Sequence, residues 1–171
     1  NLAWASNNLL YISDTHNNLV RKINANNNRL STLAGTPNQM GFSGDDGPAE
    51  KARLHTPISI SLTPDEKTLL IADIRNRRIR AINLESGTIR TIAGNGKKGK
   101  PIDGKLTLEQ PLMDPRAAVM DHEGNLFVLE RNGHALRVIH PDGKIYTLAG
   151  TGKKGQRDGP ALQATFNGPK H

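Results

Sequence analysis

The chain has 171 residues, no cysteine, and 23 Lys and Arg against 16 Asp and Glu, a formal charge of +7. The lack of thiols excludes disulfides, thiolate metal sites and cysteine nucleophiles, and no run approaches the roughly 18 apolar residues of a spanning helix. The positive balance favours polyanions or acidic partners through long-range attraction, while zero cysteine fits an exported protein without excluding a cytosolic one.

In chain order, Asn1-Leu2-Ala3-Trp4 reads as the tail of an inner strand. The apolar strand Leu10-Tyr11-Ile12-Ser13-Asp14 follows, then Arg21 on a returning strand and a Leu33-Ala34-Gly35 stop. After a Gly-rich connection, Gly35 to Pro57, a fuller copy begins: strands over 58–62 and 68–73 joined by Thr63-Pro64-Asp65-Glu66-Lys67, then a polar hairpin at 74–77. Strands over 78–83 and 88–92, joined at Glu85-Ser86-Gly87, complete it. Short or alternating apolar runs bounded by Pro, Asp and Gly predict antiparallel strands. The third copy, after Gly94 to Pro115, places strands over 116–120, 126–130, 136–139 and 144–148, with His140-Pro141-Asp142-Gly143 as a tight turn. A third connection runs from Gly150 to Pro169. An Asp-Gly pair recurs in the connections at 46/47, 103/104 and 158/159, and residues 48–52 and 160–164 suit short helical turns opened by Pro and capped by the preceding Asp-Gly.

Three acids (Asp14, Asp73, Glu130) lie 59 and 57 residues apart, and each is followed seven residues later by an arginine (Arg21, Arg80, Arg137). A period of this size predicts an all-β propeller of four-stranded antiparallel blades, with repeats at about 1–56, 57–114 and 115–171. Propellers usually carry about 4–8 blades, so three visible blades are expected to be part of a larger ring, of about six, completed by further sequence or by another copy of the chain. The chain is expected to start and stop inside repeats, so the lack of a signal-peptide pattern carries no weight.

The stretch Asp14-Thr15-His16-Asn17-Asn18-Leu19-Val20-Arg21-Lys22-Ile23, the strand entry Glu123-Gly124-Asn125-Leu126-Phe127-Val128 and the Leu148-Ala149-Gly150-Thr151-Gly152 stop, followed by Asp-Gly-Pro-Ala, resemble the NHL repeat. The resemblance is to the bacterial variety with long connections and covers almost the whole chain. It implies a propeller fold and, for function, a range from protein-, RNA- and glycan-associated scaffolds to occasional enzymes. The third copy departs at Glu130-Arg131-Asn132-Gly133, and Ser59 and Ala117 replace a common Gly.

An acid and an arginine present once per blade are read as blade-building parts rather than three catalytic pairs. Asp46, Asp103 and Asp158 are read as turn and cap residues, since a calcium loop needs more oxygen ligands at close spacing. Of six histidines, His16, His134, His122 and His140 fall in hairpins and turns. Only His55 and His171 flank the inner-strand proline, and two histidines do not complete a zinc set; no metal or other cofactor is expected. Arg116 and Lys170 follow that proline and border the channel, so His55, Arg116, Lys170 and His171 are the expected contacts for an anionic ligand or a protein partner. Lys97 and Lys98, matched by Lys153 and Lys154, predict a basic rim able to hold polyanions. Aromatic residues, mostly expected in the core, leave little for base stacking, so nucleic acid is not favoured. The preferred reading is a non-enzymatic binding scaffold. The alternatives are a metal-dependent hydrolase or lyase with ligands in further blades, and RNA or polyanion binding on the rim.

Overall fold

The structure, a computed structural model, describes residues 1–170; His171 lies outside the described residues. Three antiparallel sheets follow one another along the chain. The first holds β1 (Leu2–Trp4), β2 (Leu9–Asp14), β3 (Leu19–Asn24) and β4 (Arg29–Ala34) in that spatial order. The second is built from β6 (Pro57–Leu62), β7 (Thr68–Asp73), β8 (Arg78–Asn83) and β9 (Thr88–Ala93). The third contains β11 (Pro115–Met120), β12 (Leu126–Glu130), β13 (Ala135–Ile139) and β14 (Lys144–Ala149). Each is a meander whose strand order matches the order predicted from the apolar runs, and the three are blades of a propeller.

The connections add what the strand count from sequence missed. Gly47–Pro48 forms β5 and pairs outside β9, and Lys105–Leu106 forms β10 outside β14, so each connection gives a fifth, outermost strand to the blade it precedes. Ala49–Lys51 and Thr107–Glu109 each make one 3-10 turn. Pro160–Ala164 instead closes as a hydrogen-bonded turn, with Ala164 N–H donating to the Pro160 carbonyl at 3.0 Å.

Period-2 alternation sends successive side chains to opposite faces of a sheet, which is how the central blade serves two interfaces. Leu69 and Ile71 of β7 pack towards the first blade with Tyr11, Val20 and Ile82. Leu70 and Ala72 pack towards the third with Val128, Ile139 and Ile145. Leu54 and Leu112, each three residues before the inner-strand proline, are fully buried pegs between blades. Inner strands are further tied by hydroxyls: Ser13 Oγ donates to the Ile58 carbonyl, Thr15 Oγ1 to Pro57 and Ser61 Oγ to Ala118, at 2.6–2.9 Å. Of the six aromatics, only Tyr11 is buried. Trp4 is half exposed, and Phe42 lies under the Arg78 guanidinium at 3.7 Å on the surface, so the expectation of an aromatic core does not hold.

The repeated acid and arginine are structural. Arg80 and Asp73 are both fully buried, 3.6 Å apart, and Arg80 also meets Asp45 at 2.7 Å. Arg137 Nε donates to Glu130 at 2.7 Å, again buried. Each buried acid also accepts from its own connection: His55 N–H donates to Asp73 and Met113 N–H to Glu130. In the first blade the same pair, Arg21 and Asp14, is 3.5 Å apart with 26% and 29% of the side chains exposed.

The unusual third hairpin has a steric cause. In blades one and two, an asparagine three residues after the acid donates to it (Asn17 to Asp14, Asn76 to Asp73). The longer Glu130 folds its carboxylate into that space: a Cβ at Gly133 would lie 2.8 Å from Glu130 Oε2. Acid length and hairpin residue change together.

The equivalence of the connections corrects the Asp-Gly alignment. Gly35, Gly94 and Gly150 donate their N–H groups to the carbonyls of Ala49, Thr107 and Ala161. Counting back four residues makes Asp45, Asp103 and Arg157 equivalent. Asp45 accepts from Thr91 Oγ1 at 2.7 Å, and Asp103 from Thr147 N–H and Oγ1 at 2.9 Å. These carboxylates clamp the outer strand. They are not helix caps, and no side chain caps the 3-10 turns after them.

Candidate functional site

At the start of β6 and of β11 a β-bulge frees one side chain from the ladder. Pro57 pairs with Asp73 and Ser59 with Ala72, which skips Ile58; Pro115 pairs with Glu130 and Ala117 with Leu129, which skips Arg116. Bulges re-aim side chains in this way. The residue just before each proline, Thr56, Asp114 or Gly168, has φ of 59°, 63° or 60°, which turns the chain into the strand.

Ile58 and Arg116 both line an open cleft of ≈ 630 Å³ with Ser13, Thr15 and His16 of the first blade. Asp14 and Arg21 lie on its wall. Arg116 is only part-exposed, and its buried Nε has no hydrogen-bond partner. Asp114 is its near acid, yet it accepts from Asn132 Nδ2 at 2.7 Å. Burial, reinforced by Arg131 and opposed by Asp114, pulls the Arg116 pKa below the ordinary arginine value. A part-desolvated guanidinium without a carboxylate partner is a ready donor for an anion, because burying a cation unpaired costs energy that an incoming acceptor recovers.

The predicted contacts are only partly brought together. Arg116 lies in the cleft. His55 is half-buried, gives its backbone N–H to Asp73 and does not line the cleft. Lys170 is exposed and does not line it either, and His171 is outside the described residues. In their place stand Thr15 and His16, which the sequence had placed only in a hairpin. The usable signal was their position, one and two residues after the repeated acid, at the same end of the blade as the inner-strand proline.

Lys97, Lys98, Lys153 and Lys154 are all exposed, and none forms an ion pair among the described residues. They follow Gly96 (φ 87°) and Gly152 (φ 81°) in equivalent loops. At Gly96 the left-handed φ strains any larger residue, and a Cβ there would displace the Arg78 guanidinium. Both loops leave the outer strands at the blade end where the inner strands begin. Among the described residues no three His, Asp or Glu side chains converge as a metal set. No helix is long and apolar enough to cross a membrane.

No family model matches the chain. It is 25% identical over 146 residues to NHL repeat-containing protein 2 of Gallus gallus, covering 82% of this chain and 20% of that protein. Among solved structures, a protein of unknown function from Bacteroides thetaiotaomicron superposes with a TM-score of 0.76 at 23% identity, over 99% of this chain and 40% of that one. An auxiliary nutrient binding protein from Bacteroides ovatus gives 0.71 at 19%, over 99% and 41%. The chain spans between 6% and 22% of the length of the curated relatives it matches first. With the blade-by-blade recurrence of strands, hairpins and connections, the chain has a β-propeller fold and is similar to NHL-repeat proteins.

Proposed function

We propose that the chain is a non-enzymatic binding scaffold whose channel mouth takes an anionic ligand or an anionic group of a partner, with Arg116 as its main donor. The observation that carries this is the part-buried guanidinium whose Nε has no partner, aimed by a bulge into a cleft beside His16. Like charge from Arg131 favours the same ligand class. The nutrient-binding name of one structural neighbour accords with a small-molecule ligand.

The test is a titration with inorganic phosphate and with a sugar carboxylate, glucuronate, followed by amide shifts. The expected result is saturable perturbation confined to Ser13, Thr15, Ile58 and Arg116, lost in Arg116→Gln. Perturbation that is absent, or unchanged by the substitution, overturns the proposal.

A second reading, polyanion binding on the rim, is favoured by the matched exposure of Lys97, Lys98, Lys153 and Lys154. It predicts affinity for a polyanion such as heparin that falls steeply with salt.

A further inference from the structure

Blades two and three each receive a fifth strand from the connection that precedes them, and the first blade keeps every feature that receives one. Its outer strand has the same register shift: Val20/Ala34 then Arg21/Thr32, matching Ile79/Ala93 then Arg80/Thr91, and Leu136/Ala149 then Arg137/Thr147. Thr32 stands where Thr91 and Thr147 bond Asp45 and Asp103. Arg21 stands where Arg80 meets Asp45, and among the described residues its carboxylate partner is Asp14 alone. The carbonyls of Ile89 and Ile145 accept from Asp46 and Gly104. These two side chains are buried in the cores shared with the preceding blade, and their counterpart Leu30 is 49% exposed.

We propose that the outer edge of β4 is a docking site for an extended segment bearing a carboxylate, supplied by a connection of the same build as Gly35–Pro57. The carboxylate accepts from Thr32 and pairs with Arg21 as Asp45 does with Thr91 and Arg80. Unpaired edges are the surfaces on which β proteins take an added strand, and the residues around this one specify its charge. The chain's own third connection is the wrong occupant: it carries Arg157 at the Asp45 position and would set one guanidinium against another. A second copy closing head to tail through that connection is therefore disfavoured, and the segment comes from a connection with an acid in that place.

The register supplies a test. Asn1 pairs opposite Ser13 as Ser59 does opposite Ala72, so residues 35–58 grafted ahead of Asn1 enter the first blade in frame. Amide exchange across Arg29–Ala34 is expected to slow about tenfold or more on grafting, the response of an edge that gains a strand. The gain is lost when the grafted Asp45 counterpart is Arg, or when Arg21 is replaced by Gln. Should the grafted chain not fold, the peptide 35–58 added in trans to the unaltered chain is read by the same exchange, with the same ranking expected. No slowing with the acidic graft overturns the proposal, and equal slowing with Arg in that position shows that the edge does not select a carboxylate and overturns it as well.

Discussion

Replacing Arg80 by Met removes a cation from a site where Asp73 has no exposed surface at all. At 3.6 Å and an effective dielectric near 20, the attraction to Asp73 alone is about 5 kcal/mol, and desolvation of both groups cancels much of it. What the substitution exposes is the cost of a buried carboxylate without its cation, about 3–5 kcal/mol. His55 N–H and Asn76 Nδ2, at 2.8 Å each, still donate to Asp73 and set the loss towards the lower end. The same substitution at Arg21 breaks a pair of identical sequence spacing whose partners are each more than a quarter exposed, and costs at most about 1 kcal/mol. Urea unfolding of Arg80→Met and Arg21→Met at neutral pH measures both. Equal losses would refute the argument that burial between blades, rather than the motif, sets the value of the pair. A further signature is expected at pH 5, where a protonated Asp73 no longer needs its cation and the Arg80→Met loss shrinks.

Burial pushes the Asp73 pKa up to about 6, against the pull of Asn76, His55 and Arg80. Between its ordinary 3.8 and 6, the folded chain therefore holds a proton that the unfolded chain has lost, so stability rises as pH falls through that window. The rise is on the order of 2–3 kcal/mol at most and is absent in Asp73→Asn; a flat thermal-melting profile from pH 7 to 4.5 contradicts it. Below about pH 4 the trend reverses, because Asp65, Glu66, Asp121 and Asp142 are held below their usual pKa by hydrogen bonds that protonation removes. Gly133→Ala should lose about 1–3 kcal/mol by overpacking against Glu130, and Glu130→Asp with Gly133→Asn should recover part of it by recreating the second blade's hairpin; a loss unaffected by the paired change contradicts the steric account. Thr56, a β-branched residue at φ 59°, is expected to gain about 0.5–1 kcal/mol on replacement by Gly, the residue that Gly168 already supplies at the equivalent position. Heparin retention that survives joint replacement of Lys97, Lys98, Lys153 and Lys154 by Gln contradicts the rim reading.

The fold was legible because its signals repeat. Acid, arginine and Ala-Gly stop return at fixed offsets, and each offset corresponds to a hairpin or a strand length that the structure reproduces. The fifth strands escaped because two residues such as Gly47-Pro48 or Lys105-Leu106 carry no alternating pattern; they become strands only by pairing outside β9 and β14. The Asp-Gly pairs misled for a related reason. Sequence identity aligned Asp46 with Asp103, whereas backbone hydrogen bonds align Asp45 with Asp103 and reveal Arg157 in the third place. At the candidate site, Arg116 was visible from the proline before it, since a strand entry repeated in three copies shows a basic residue where the second has Ile58. Thr15 and His16 were not, because only the curvature of the arc brings the first blade's hairpin to the third blade's inner strand.

The most direct measurement is the Nε–H resonance of Arg116, followed in labelled protein as phosphate is added. If this guanidinium is the anion donor of the channel mouth, its Nε–H gains an acceptor: the signal shifts, exchanges more slowly with water and saturates, while Arg137 Nε–H, already bonded to Glu130, stays in place. An Arg116 signal that does not move, or that moves no more than that of Arg137, contradicts the account.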